Sequence, residues 1–348
     1  MRLLVMYDYP PYPSELSIQG DLLYRGLLEL DIDAHAVHCQ SNLEKEWYYR
    51  WFKPELVVSI GSPDHLQDLA LHPQKHGITA VPWLVADGSI ANYQELLKKL
   101  PLILVPANPV KEMYVRDGID AGSIEVLPVG CDLDSFVPLS PRNPKIKAIR
   151  EALDISSEQL MILTLVSDAG AKGVQEMMHA LAAIDHEVPD WKYICKVWPQ
   201  PGTEAQIRSD MELAAQLNIK QKVGFATDIT SRSFLPYLMA ACDIYAAPLK
   251  LEGFGMAQIE AGACEKPVCI PNPYDTEEAL KVSSDTSGSA AYPANTSDIA
   301  THLKNLMADS DLRIRLGKAA RRHVSEHFDY KVITKRLIEI IKEKLEIF

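Results

Sequence analysis

Short apolar runs alternate with longer segments of helical periodicity along nearly the whole chain. In the first half the runs fall at Leu3–Met6, Ala34–His38, Leu56–Ser59, Thr79–Leu84, Leu102–Pro106 and Glu125–Leu127, with helical patterns at Gln19–Leu30, Tyr93–Leu100 and Val110–Asp117. In the second half the runs are Met161–Val166, Lys192–Lys196, Val223–Phe225, Ile244–Ala247 and Val268–Ile270. Helical patterns there cover Gly173–Asp185, Thr203–Leu217, Phe234–Ala241, Met256–Cys264, Ser297–Ala308 and Asp311–His327. Strand-like and helix-like segments in this alternation predict α/β layers built on parallel sheets.

Pro138, Pro141 and Pro144 punctuate a stretch without apolar periodicity, which marks a linker between domains. At 348 residues the chain exceeds one comfortable core. Two doubly wound, Rossmann-like domains are therefore expected, over 1–138 and 145–328. A final helix from Tyr330 to Phe348 carries apolar residues at Ile333, Leu337, Ile340, Ile341 and Leu345. Open α/β sheets bind ligands beyond the carboxyl ends of their strands, so the cleft between the domains is the expected site.

Composition adds exclusions. The formal net charge of −12 argues against a nucleic-acid footprint. The six cysteines form no C-x-x-C pair and several sit in apolar runs, as buried reduced thiols of a cytosolic protein do; they predict no zinc site. The apolar run of Met1–Tyr7 is too short for a signal peptide and reads as a first strand. No window approaches the ~20 apolar residues of a membrane span. A soluble, cytoplasmic protein is expected, with peripheral membrane contact and oligomeric state left open. The triplets Asp31–Asp33 and Asp132–Asp134 read as turn carboxylates, and no metal is expected.

The chemistry concentrates in Pro248–Pro267, PLKLEGFGMAQIEAGACEKP. Glu252 and Glu260 flank Gly253-Phe254-Gly255, which leads from the run ending at Ala247 into the helical pattern at Met256. Strand, glycine loop and helix together offer backbone N–H groups and a positive dipole end to an anion. Two carboxylates can accept hydrogen bonds from the hydroxyls of a ribose or a sugar ring. Diphosphate plus hydroxyls describes a nucleotide sugar. The plain alternative for the pair is a surface carboxylate and one in the first turn of a helix.

This segment resembles the donor motif of retaining glycosyltransferases of the GT-B fold, family 4, in which two glutamates separated by seven residues bracket a glycine-phenylalanine-glycine loop. Further matches follow in the family's order. They are Val126-Leu127-Pro128-Val129-Gly130-Cys131-Asp132 with Phe136, Lys172-Gly173, Asp285-Thr286-Ser287-Gly288 with Tyr292-Pro293, and Leu316-Gly317-Lys318-Ala319-Ala320-Arg321. The resemblance is specific over 126–328 and looser before it. It implies a last helix returning to the N-terminal domain. It also implies donor ribose hydroxyls on Glu260, the transferred sugar on Glu252, and the N–H groups of Gly253, Phe254, Gly255 and Met256 facing sugar and diphosphate. Lys172 would meet the leaving diphosphate.

Three positions depart from the family. Its arginine, five residues before the lysine, is Ser167 here, so Lys196 or Lys250 substitutes or turnover is slow. Of the glycine pair in the first loop only Gly20 remains, beside the expected phosphate site. The histidine after the fourth strand is replaced by Ala86-Asp87-Gly88-Ser89, where Asp87 either makes a polar contact or caps the next helix. The function implied is hexosyl transfer from a nucleoside-diphosphate sugar to a hydroxyl-bearing acceptor (glycan, lipid-linked or small molecule), with retention and no cofactor. A nucleotide-sugar-binding partner protein without turnover is the alternative that the three departures suggest.

Overall fold

The computed structural model describes residues 1–11, 14–85, 90–166, 173–246, 255–271, 290–292 and 296–345. The chain forms two compact units, Met1–Asp132 with His327–Phe348, and Leu133–Glu326.

The first unit is built on strands β1 (Arg2–Tyr7), β2 (Asp33–His38), β3 (Leu56–Gly61), β4 (Thr79–Leu84), β5 (Ile103–Val105) and β6 (Ile124–Val126). They form a parallel six-stranded sheet in the order β2-β1-β3-β4-β5-β6. Every residue of β3 is buried. Strands of this kind read as unbroken apolar runs rather than alternating ones. Its helices are α1 (Glu15–Glu29), α2 (Asn42–Trp51), α3 (His72–Lys75), α4 (Gln94–Leu97) and α5 (Asn108–Arg116). Helix α1 starts earlier than its apolar pattern because Ser14 caps it, its Oγ accepting from Ser17 N–H at 3.2 Å.

Helix α2 has no counterpart among the sequence expectations. It buries Lys45 and Tyr49 while Leu43, Trp47 and Trp51 stay exposed, so its hydrophobic positions do not mark its inner face. The pattern at Tyr93–Leu100 shortens to the single turn of α4.

The second unit carries β7 (Leu160–Val166), β8 (Trp191–Val197), β9 (Val223–Ala226), β10 (Ile244–Ala246), β11 (Val268–Pro271) and β12 (Ala290–Tyr292), in the parallel order β12-β11-β10-β7-β8-β9. Around them run α6 (Pro144–Ala152), α7 (Val174–Ile184), α8 (Thr203–Gln216), α9 (Leu235–Ala241), α10 (Met256–Ala263), α11 (Thr296–Ala308) and α12 (Ser310–His327). Pro144, expected in the linker, instead opens α6 as its first residue, with Asn143 accepting from Lys145 N–H at 2.9 Å. Arg150 on α6 donates to the Ala241 carbonyl and to Asp243 Oδ2, both at 3.1 Å, which fixes the start of β10.

The final helix, α13 (Tyr330–Leu345), packs on α1 within the first unit. Its entry is pinned by backbone pairing: Cys131 N–H donates to Phe328 O at 2.7 Å and Tyr330 N–H to Cys131 O at 3.1 Å. Gln19 adds a two-way bond to Gly130, donating Nε2 to its carbonyl at 2.9 Å and accepting its N–H at 2.7 Å. Asp132 pairs with Arg25 at 3.0 Å, and Asp31 turns the chain with φ of 55°. The segment with Gly130, Cys131 and Asp132 thus fastens the last helix to the first. Cys39, Cys131, Cys195, Cys242 and Cys264 are buried, and burial pushes the Cys195 and Cys242 thiols up to about 12. Among the described residues no helix is long and apolar enough to cross a membrane.

Candidate active site

Strand order points to the site. In the second unit the chain builds β7, β8 and β9 in one direction, then places β10 on the other side of β7. The order reverses between β7 and β10, and α/β sheets take ligands beyond the carboxyl ends of strands at such a switch point. The two strands pair in parallel through Ile162↔Ile244 and Leu163↔Tyr245, so segments 167–172 and 247–254 begin at adjacent strand ends. Those segments contain Ser167, Lys172, Glu252, Gly253 and Phe254. These five, with Asp87 and Lys250, lie outside the described residues.

Beneath the switch point Thr164 Oγ donates to the Ala246 carbonyl and accepts from Tyr193 OH at 2.9 Å. All three residues are buried. A satisfied buried hydroxyl pair of this kind holds the last residue of β10 in place.

Gly255, Met256 and Glu260 come together at the start of α10. Gly255 is the N-cap with φ of 65° and ψ of 61°, a left-handed conformation that favours glycine. Met256 is the first helical residue and is buried. Glu260 falls in the second turn rather than the first, and only 3% of it is exposed. The dipole at the helix terminus is thus not its main partner; Arg232 is, through an Nη2 to Oε1 ion pair. Burial pushes the Glu260 carboxyl above its ordinary value, and Arg232 pulls the other way. The Arg232 guanidinium also lies over the Phe136 ring at 4.7 Å. Two residues earlier, Thr230 Oγ1 is buried with no hydrogen-bond partner among the described residues. Sequence reasoning missed Arg232, which sits in a polar turn 28 positions before Glu260. The one available signal was the carboxylate itself, since a buried one needs a cation.

The late motif with Gly317 and Arg321 braces this helix from behind. Arg321 Nη1 donates to the carbonyl of Ala263, the last residue of α10, at 2.6 Å, and also to Phe136 O. A Cβ at Gly317 would stand 1.9 Å from the Glu265 carbonyl oxygen, so only glycine lets α12 approach the end of α10. Both motif residues are structural supports of the candidate site.

Lys196 ends up on the neighbouring strand, in register with Leu165 near the end of β7. Its ammonium is buried, donates to Asp228 O at 2.7 Å and Val197 O at 3.1 Å, and lies over the Trp198 ring. Burial lowers its pKa. Gly20 belongs to the other unit, inside α1, where a Cβ would lie 2.2 Å from Cγ of the buried Tyr7 ring. Helix-to-strand packing is a sufficient reason for that glycine.

The second unit is a parallel α/β sheet with a strand-order reversal between β7 and β10 and with Gly255 opening α10, and comparison with known proteins says to which family such a chain belongs. The profile of the family described as glycosyl transferases group 1 matches residues 145–323, just over half of the chain. The chain belongs to that family. A D-inositol 3-phosphate glycosyltransferase of Xylanimonas cellulosilytica is 27% identical over 78% of this chain and 62% of its own length. A GDP-mannose-dependent alpha-(1-6)-phosphatidylinositol monomannoside mannosyltransferase of Mycolicibacterium smegmatis is 26% identical over 65% of this chain and 58% of its own. The matches thus span less than two thirds of those relatives. Among solved structures, a glycosyltransferase from Rickettsia africae superposes with a TM-score of 0.80 at 18% identity, covering 100% of this chain and 99% of that one. The Anabaena HepE protein in complex with UDP and glucose gives 0.78 at 17% identity, over 99% and 100% of the two chains. At such identities the likeness establishes the fold, which is GT-B.

Proposed function

We propose that the protein transfers a hexose from a nucleoside-diphosphate sugar to a hydroxyl-bearing acceptor, with retention of anomeric configuration and without a metal. The observation that carries this is the switch point between β7 and β10, where the lysine and glycine-loop segments of the family's donor motif both begin. The donor hexoses named for related proteins, mannose on GDP and glucose beside UDP, fit the same reading.

In this scheme the diphosphate docks on the backbone N–H groups of residues 253–256 and on Lys172, which stabilise charge as the glycosidic C–O bond breaks. Glu260 accepts from the ribose hydroxyls and Glu252 from those of the sugar. Arg232 serves Glu260 by favouring its ionised form, the form that only accepts hydrogen bonds. The acceptor hydroxyl attacks the oxocarbenium-like sugar from the face the leaving group vacates, and its proton passes to the departing phosphate. No protein base is required.

Thermal denaturation across a panel of nucleoside diphosphates and their sugars tests the proposal. A true donor at 100 times its dissociation constant stabilises the fold by about 2.7 kcal/mol. Release of nucleoside diphosphate in the presence of acceptor then separates an enzyme from a binding protein that only holds the donor.

A further inference from the structure

We propose that Glu46, His72 and His76 form a binding site for a divalent transition metal of the zinc class, in the N-terminal unit and apart from the sugar-nucleotide chemistry. Each offers one ligand atom, and the three atoms lie within 4.8 Å of one another. Ligands of one tetrahedral zinc at about 2.0–2.2 Å stand roughly 3.4 Å apart, so small side-chain rotations that draw the three atoms together let one ion touch all three. Two imidazoles and one carboxylate are a known zinc donor set, with a fourth position left for water.

The backbone prepares the site. His72 begins α3 and His76 caps it, so the two imidazoles lie one helical turn apart with ring centroids at 5.1 Å. Glu46 comes from α2, one turn before Arg50. The Arg50 guanidinium pairs with Glu46 Oε2 at 3.4 Å, but it is 81% exposed and can yield to an ion. Tyr49, on the same helix, places its hydroxyl 3.3 Å from His72 Nδ1 and its ring 5.0 Å from that of His76. That hydroxyl also points to Met6 Sδ at 3.9 Å, and which of the Tyr49 hydroxyl and His72 Nδ1 donates follows the imidazole tautomer. With an ion on Nε2, His72 Nδ1 carries the proton and donates to the Tyr49 hydroxyl, the support an outer partner gives a metal-bound histidine. The nearby cation is spoken for: Lys45 Nζ donates to Cys39 O at 2.5 Å and to Asp68 at 3.3 Å. An ion here would tie α2 to α3. Sequence spacing gave little notice, because the carboxylate lies far upstream of two histidines whose only pattern is one helical turn.

The test is titration of the full chain, freed of metal by a chelator, with Zn2+ by calorimetry and with Co2+ by visible absorption. One equivalent of each should bind, and Co2+ should give the intense absorption bands of a low-coordinate site. His76→Gln, at an exposed position, should keep the fold and weaken Zn2+ binding by at least about tenfold. Tyr49→Phe, which removes only the outer partner, should cost about 10–100-fold. His38→Gln, outside the trio, should change nothing. Absence of a stoichiometric site, or equal Zn2+ affinity in His76→Gln and wild type, would overturn the proposal.

Discussion

Arg232 holds the carboxylate of Glu260 across 28 residues of sequence, and it does so inside the protein, where Glu260 is 3% exposed. The pair joins the turn before α9 to the second turn of α10. Burial alone would favour the protonated acid; the guanidinium counters it. Under the proposed function this is the contact that readies Glu260 for hydroxyls.

Stability should therefore depend on pH through Glu260. Its folded-state pKa lies above the ordinary 4.5, so the folded chain holds the proton to higher pH than the unfolded one. The contribution is complete below that ordinary value and is lost as pH rises through the folded value. Glu260→Gln removes this term, so its stability relative to wild type should improve between pH 5 and pH 8. Urea denaturation of both proteins at the two pH values reads the difference.

Arg321 and Gly317 should behave as braces. Arg321→Met removes a charge-assisted bond from the Ala263 carbonyl and should cost about 1.5–3 kcal/mol. Gly317→Ala drives a methyl against the Glu265 carbonyl and should cost about 1–3 kcal/mol. Chemical denaturation measures both, and saturating donor should restore turnover at low temperature if neither residue touches it.

Gln19→Leu should destabilise the N-terminal unit. It strands the N–H and carbonyl of Gly130, both now paired with the Gln19 amide, at a cost of about 1–3 kcal/mol for each group left unsatisfied. Hydrogen exchange should report the loss at Gly130 and along the start of α13.

Ser167→Arg should raise turnover. Removing one preorganised donor from a developing anion costs about 100–1000-fold in other enzymes, so restoring a cation should increase kcat by at least about tenfold. Steady-state kinetics with the identified donor tests this.

The sheets were legible in the sequence because strands such as β3 and β7 are buried at every position and stand out as unbroken apolar runs. Helix α2 was not, since its tryptophans face outward and a lysine faces inward. Strand β12, Ala290–Tyr292, is too short to leave a pattern. At the candidate site, the local part of the motif could be read because glycine loop, helix start and Glu260 are consecutive in the chain. Arg232 and the metal trio could not, because only folding brings their parts together. Arg321 was visible as a motif residue, but its role at the end of α10 emerges only from the packing of α12.

Under the proposed function Glu252 and Glu260 together grip an activated sugar. Calorimetric titration of the donor found by the thermal screen, on wild type and on the Glu252→Ala/Glu260→Gln double variant, tests it most directly. Each lost carboxylate contact should cost about 1.5–3 kcal/mol, so affinity should fall by at least about 100-fold while far-ultraviolet circular dichroism stays native. A folded double variant that binds the donor as tightly as wild type would contradict the account.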